Sequence, residues 1–159
     1  MTDRTASCRC GQLKATVTGK PVRVSACHCL DCKKRSGSAF AVQARWPAEQ
    51  VTIDGRSNSW VNAADSGNRI TFHFCPDCGS DVHYEIEGKF DGLVAIPLGA
   101  FDDPYFANPR FSVWEKRKHD WVEIVGDDVE HTGQAVIARL RRRRGNPVAR
   151  RWIASLRSQ

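Results

Sequence analysis

The sequence predicts a mainly β domain of stacked antiparallel sheets with a helical C-terminal extension, and three observations predict it. Between Cys8 and about Val125 the chain is a succession of short β-branched or aromatic runs that alternate apolar and polar residues, as strands with one buried face do. Gly, Pro, Asn and Asp punctuate these runs, supplying the backbone angles and local hydrogen bonds that turns need. Only beyond Gly133 does the apolar spacing lengthen to a helical period, with Val136 and Leu140 on one face.

In chain order the expected strands are Leu13 to Thr18, Arg23 to Ala26, Ala39 to Arg45, Val51 to Ile53, Ser59 to Asn62, Arg69 to Phe74, Val82 to Ile86, Leu93 to Leu98, Phe111 to Glu115 and Val122 to Ile124. So many strands in so short a chain pack sheet on sheet. Within Ile70 to Cys75, Ile70, Phe72 and Phe74 share the face expected to be core, and Thr71, His73 and Cys75 share the other. The following Pro76-Asp77-Cys78-Gly79 is a turn in which Gly79 takes positive φ and brings the sulfurs of Cys75 and Cys78 together, a zinc-knuckle geometry. Helices are expected over Gly133 to Arg144 and Pro147 to Arg157; Asn146 caps the second, and Val148, Trp152 and Leu156 recur every four residues.

The chain's 159 residues suit one domain and 41% of them are hydrophobic, which excludes disordered, collagen-like and multidomain chains. No run approaches the roughly 20 apolar residues of a membrane span, and Met1 to Cys8 has no apolar secretory core. A cytoplasmic location is therefore the expectation. The net charge of +6 is localised: Arg139 to Gln159 holds eight arginines and no acidic residue, which leaves the rest of the chain mildly acidic. A basic appendage on such a domain suits either solvation of an amphipathic helix or contact with nucleic acid or another acidic partner.

Seven cysteines are too many, and too odd a number, for disulfides in a reducing compartment. They form three clusters: Cys8 and Cys10; Cys27, Cys29 and Cys32; Cys75 and Cys78. A disulfide across one intervening residue would be strained, and the spacing does not match ferredoxin iron–sulfur patterns. Closely spaced sulfurs are what thiolate-bound zinc needs: two pairs close a four-sulfur structural site, and a triplet leaves one coordination position open. Spacing alone leaves open which pairs join.

Cys8-Arg-Cys10-Gly11, then Cys27-His-Cys29-Leu-Asp-Cys32 with basic residues and Ser36-Gly37-Ser38-Ala39-Phe40, then Phe74-Cys75-Pro-Asp-Cys78-Gly79 stand in the order of a known family. The chain resembles the glutathione-dependent formaldehyde-activating enzymes, a family that also includes centromere protein V, over about Ala6 to Trp121, including Pro109 to Trp114. The resemblance implies a cysteine-rich β fold with two zinc ions. Cys8, Cys10, Cys75 and Cys78 would hold the structural ion, and Cys27, Cys29 and Cys32 the catalytic one. It further implies addition of glutathione to formaldehyde, giving S-hydroxymethylglutathione, a carbon–sulfur lyase reaction run in the synthetic direction. The alternative is a noncatalytic zinc-stabilised module that engages an acidic partner through its tail. The expected domains are the zinc-binding unit, 1–132, and the basic tail, 133–159.

Lys33, Lys34 and Arg35 follow the triplet, where they can recruit the carboxylates of glutathione or form a solvated turn. His28 is expected to support its neighbouring ligands by a hydrogen bond, and His73, His83, His119 and His131 are read as surface or supporting histidines. Trp60, Trp114 and Trp121 are expected in the core, Trp46 at a pocket edge and Trp152 as the anchor of the tail helix.

Overall fold

The computed structural model describes residues 3–64, 67–88 and 90–133. The strands are β1 (Arg4–Ser7), β2 (Lys14–Val17), β3 (Arg23–Cys27), β4 (Ala41–Pro47), β5 (Val51–Asp54), β6 (Asn58–Ala63), β7 (Arg69–Phe74), β8 (Asp81–Ile86), β9 (Leu93–Pro97), β10 (Phe111–Val113) and β11 (Glu130–His131), and one α-helix, α1 (Leu30–Ser36), lies between β3 and β4. They form a three-stranded sheet, β1-β2-β5, and an eight-stranded sheet, β11-β10-β3-β4-β9-β8-β7-β6.

Alternation along the strands explains why the sheets stack. Ala6, Leu13, Ala15 and Val17 project from the small sheet onto Val24, Ala44, Trp46, Val94 and Ile96 of the large one, and all are buried. Trp46 is fully buried at the centre, its ring 5.9 Å from Phe106 in a stack and 5.8 Å from Phe101 at a tilt. Its Nε1 donates to the Gly19 carbonyl at 3.4 Å, which removes the cost of burying the indole N–H. Trp46 is thus a core residue and not the pocket edge expected of it. Trp60 and Trp121 depart in the other direction, at 57% and 72% exposed, because the edge strand and the late coil that carry them have no second layer over them.

Every expected strand forms except Val122 to Ile124. Val122 and Ile124 alternate inward because coil drapes them over Ala26 on the large sheet; the period of two reflects a packed segment without a ladder partner. The sheets are mostly antiparallel, but β10 runs parallel to both β3 and β11. β10 stops at Val113 because Trp114 takes left-handed φ of 61°. β1, β11 and α1 were not anticipated: β1 is polar, β11 is two residues long, and the seven residues of α1 bury no side chain. A helix with no buried face leaves no apolar stripe in the sequence.

The register draws one row of side chains straight across one face of the large sheet: Trp60, Phe72, Tyr84, Ala95, Arg45 and Arg23. The opposite face carries Trp46 and Val94 under the small sheet. The helices expected beyond Gly133, with Trp152, lie outside the described residues. Among the described residues no helix is long and apolar enough to cross a membrane.

Replacing Trp46 with Ala is expected to lower the unfolding free energy by about 3–5 kcal/mol, whereas Trp121→Ala should change it by less than about 0.5 kcal/mol. Urea unfolding of the two variants checks this.

Candidate metal centres and active site

Two turns of the same design bring four cysteines together. The amide of Cys8 donates to the Leu13 carbonyl and that of Gly11 to the Cys8 carbonyl, each at 2.9 Å; Cys75 repeats this with Ser80 and Gly79, also at 2.9 Å. Gly11 and Gly79 turn the chain back at φ of 80° and 73°, angles that cost a side-chain-bearing residue free energy. The sulfurs of Cys8, Cys10, Cys75 and Cys78 all fall within 4.8 Å of one another. Cys8 and Cys10 are 3.5 Å apart, and Cys10 and Cys75 are 3.6 Å apart across 65 residues of chain.

Donors surround these sulfurs. The Leu13 amide points at Cys8 Sγ at 3.2 Å, and Gln12 Nε2 donates to Cys75 Sγ at 3.0 Å. Gln12 also grips the backbone of Arg56 at both its amide and its carbonyl, so one side chain ties the first turn, the second turn and the β5–β6 connection together. Ser80 Oγ lies 3.4 Å from Cys78 Sγ, and hydrogen bonds from the Ser80 side chain and backbone hold the Cys78 thiol down to about 5. Neither Gln12 nor Ser80 belongs to a cysteine motif, so the sequence carries no signal for them.

Cys27, Cys29 and Cys32 form a second cluster, again with their sulfurs within 4.8 Å. Cys27 ends β3, Cys29 caps α1, and Cys32 lies in its first turn. Cys29 Sγ accepts from the Cys32 amide at 3.4 Å. Hydrogen bonds from Cys27 and Cys32 push the Cys29 thiol down to about 2, and the bond to Cys29 pushes Cys27 up to about 11. Three neighbouring sulfurs share one negative charge readily and resist a second, so full ionisation requires a cation among them. Both clusters can hold a metal ion.

α1 lies over the aromatic face and splits the basic run. Lys33 Nζ donates to the Arg117 carbonyl. Lys34 and Arg35 instead line a cavity of about 520 Å³ together with Asp31, Trp60, Phe72 and Phe74. Arg35 is half-buried and paired with Asp81, its guanidinium over Phe72 and Tyr84 at 5.7 and 5.0 Å. A bulge between His73 and Phe74 pairs Phe74 with Asp81, placing Asp81 on this face rather than with His83 and Glu85. Phe74, expected in the core, is therefore a wall of the cavity, and Trp60 stacks on Phe72 at 5.9 Å beside it. Farther along the row, Arg23 lies 3.6 Å from the Phe111 ring and Arg45 4.4 Å from that of Phe90.

His28 lies between two of the clustered cysteines and is fully buried. Ser112 donates its hydroxyl to Glu115 Oε1 at 2.6 Å, so Ser112 Oγ can only accept from His28 Nε2 at 3.1 Å. That fixes the proton on Nε2 and leaves Nδ1 as a buried lone pair without a hydrogen-bond partner among the described residues. Burial holds the ring's pKa down to about 4, and His28 is neutral at physiological pH. Glu115 also accepts from His131 Nδ1 at 2.7 Å. Ser112 and Glu115 were missed because each is meaningful only opposite a histidine from elsewhere in the chain.

The profile of the family described as "Glutathione-dependent formaldehyde-activating enzyme" matches residues 3–117. The chain belongs to that family. Among curated relatives, proteins named "Putative glutathione-dependent formaldehyde-activating enzyme" from Aspergillus terreus and Penicillium rubens are 28% and 25% identical over 109 and 107 residues, in each case 66% of this chain and 56% of the relative. The chain thus spans about half the length of these relatives. A crystal structure of a Rhodobacter sphaeroides protein aligns with a TM-score of 0.49 at 18% identity, covering 67% of this chain and 92% of that one. The family match contains all three cysteine clusters and α1.

Burial raises the pKa of Glu115, but hydrogen bonds from His131 and Ser112 outweigh it and hold the carboxyl below 4.5. A carboxylate with a lowered folded pKa adds stability above its unfolded pKa and loses it as pH falls through the folded value. The stability difference between the protein and its Glu115→Gln variant should therefore be largest near neutrality and shrink below pH 4.5, as measured by urea unfolding at several pH values.

Proposed function

We propose that the protein adds a small thiol, glutathione or a close relative, to formaldehyde or another small aldehyde, a carbon–sulfur lyase reaction run in the synthetic direction. In this proposal Cys27, Cys29 and Cys32 hold a catalytic zinc ion, and Cys8, Cys10, Cys75 and Cys78 hold a structural one. The observation that carries it is a three-sulfur cluster at the start of the helix that also walls an aromatic cavity, in a chain of this family.

The donors suit zinc. Tetrahedral thiolate ligation with Zn–S near 2.3 Å needs sulfurs about 3.8 Å apart, and the 3.5 and 3.6 Å separations at the four-cysteine site suit that edge. The three-cysteine set leaves one tetrahedral position for an exchangeable ligand. A zinc ion held by Cys27, Cys29 and Cys32 would supply Lewis acidity and would lower the pKa of a thiol whose ordinary value is near 8.5.

This chain's own groups bind and orient. Glutathione carries two carboxylates, and Lys34 at the cavity, with Arg23 farther along the row, supplies positive charge for them. Arg35 is held by Asp81 and so fixes α1 over the sheet. His28, neutral and locked through Ser112 to Glu115, keeps the turn between Cys27 and Cys29 in place. In the reaction the thiol sulfur forms a bond to the aldehyde carbon, the carbonyl π pair moves to oxygen, and the thiol's proton ends on that oxygen.

The test is metal content together with S-hydroxymethylglutathione formation above the spontaneous rate. The protein should carry two zinc ions. Cys29→Ser should lose one of them and return the rate to the spontaneous level with the fold kept, whereas Cys8→Ser should unfold much of the domain, since structural zinc contributes about 10–16 kcal/mol of apparent binding energy. Unchanged acceleration in Cys29→Ser would sink the proposal. Lys34→Glu should raise the KM for glutathione several-fold with little change in kcat, and Lys33→Glu, directed at the Arg117 carbonyl, should not.

A further inference from the structure

We infer that His73, His83 and Glu85 form a third cation site, separate from both cysteine clusters, that takes a divalent ion of the zinc and nickel class. The inference does not depend on the proposed reaction. His73 and His83 are directly paired across β7 and β8, and Glu85 lies two residues beyond His83 on the same face. One ligand atom from each of the three falls within 4.8 Å of the others.

The carboxylate already spans the two imidazoles. Glu85 Oε2 is 3.0 Å from His73 Nε2, and Oε1 is 3.3 Å from His83 Nδ1. Nitrogen and oxygen ligands at about 2.0–2.2 Å from a tetrahedral ion lie about 3.4 Å from each other, so the oxygens are set at ligand spacing from both nitrogens. Two neutral imidazoles and one carboxylate carry a single negative charge, a donor set that suits borderline transition ions. His83 is 5% exposed, and among the described residues its Nε2 has no hydrogen-bond partner, so Nδ1, on Glu85, is the nitrogen turned toward the site. Among the described residues Glu85 alone engages that ring through a hydrogen bond.

One rearrangement is required. The rings are stacked, with centroids 4.3 Å apart and planes at 6°, and an ion bound to an imidazole nitrogen lies in the plane of that ring. Parallel rings cannot share one ion, so one must tilt. The side chains of His73 and Glu85 are 23% and 44% exposed against 6% for His83, which makes His73 the ring that turns and the solvent edge the route of entry. An ion there would pin β7 to β8 two residues before Cys75.

The experiment uses the full-length, zinc-loaded protein without a histidine tag, titrated with Ni²⁺. One further equivalent should bind, the imidazole resonances of His73 and His83 should broaden from the paramagnetic ion, and no sulfur-to-metal charge-transfer band should appear. His73→Ala and Glu85→Gln, both at partly exposed positions, should each abolish the extra equivalent while keeping the zinc already bound. Absence of uptake, uptake unchanged in both variants, or uptake accompanied by a charge-transfer band would each overturn the inference.

Discussion

The sulfurs of Cys10 and Cys75 meet 3.6 Å apart although 65 residues separate them, and the architecture depends on that meeting. Each sulfur lies in a turn closed by its own backbone hydrogen bonds. The first turn leads into β2 of the small sheet, and the second joins β7 to β8 of the large one. Holding the turns together therefore holds the sheets together, with Leu13, Val17 and Trp46 buried between them. Four adjoining thiolates repel one another, so the same contact that organises the fold calls for a cation to stabilise it.

The two faces of the large sheet divide the remaining work. Toward the small sheet it presents Val24, Ala44, Trp46, Val94 and Ile96, an apolar layer whose burial drives folding. Away from it runs the row from Trp60 to Arg23, aromatic at one end and cationic at the other, with α1 above the aromatic part. A period of two is what allows adjacent residues to serve such different ends. Ser25 illustrates it: flanked by inward Val24 and Ala26, it accepts from Gln43 and Arg45 on the polar face.

Irregularities place the chemistry. The bulge after His73 turns Asp81 to the cavity, where it pairs with Arg35. Two partly desolvated charges contribute little net stability, but their pairing fixes where α1 lies, and with it Cys32 and Lys34. Trp114, at left-handed φ, ends β10 one residue before Glu115 enters the interior to meet Ser112 and His131. Both features break a local rule where a charged side chain must be aimed.

The sequence by itself determined the strand-rich architecture, most strand positions and the three groups of cysteines, because alternation and close ligand spacing are local properties written into consecutive residues. Arg69 to Phe74 was legible to the residue. Only the tertiary structure decided that the first and last cysteine clusters join, that Trp46 is core while Trp60 stands open, and that Lys34 faces the cavity while Lys33 does not. It also revealed α1, whose lack of a buried face leaves no periodic signature, and the partners Gln12, Ser112, Glu115 and Asp81. Each of these acts on a residue brought to it from a distant part of the chain, and local sequence carries no record of which distant residue that is.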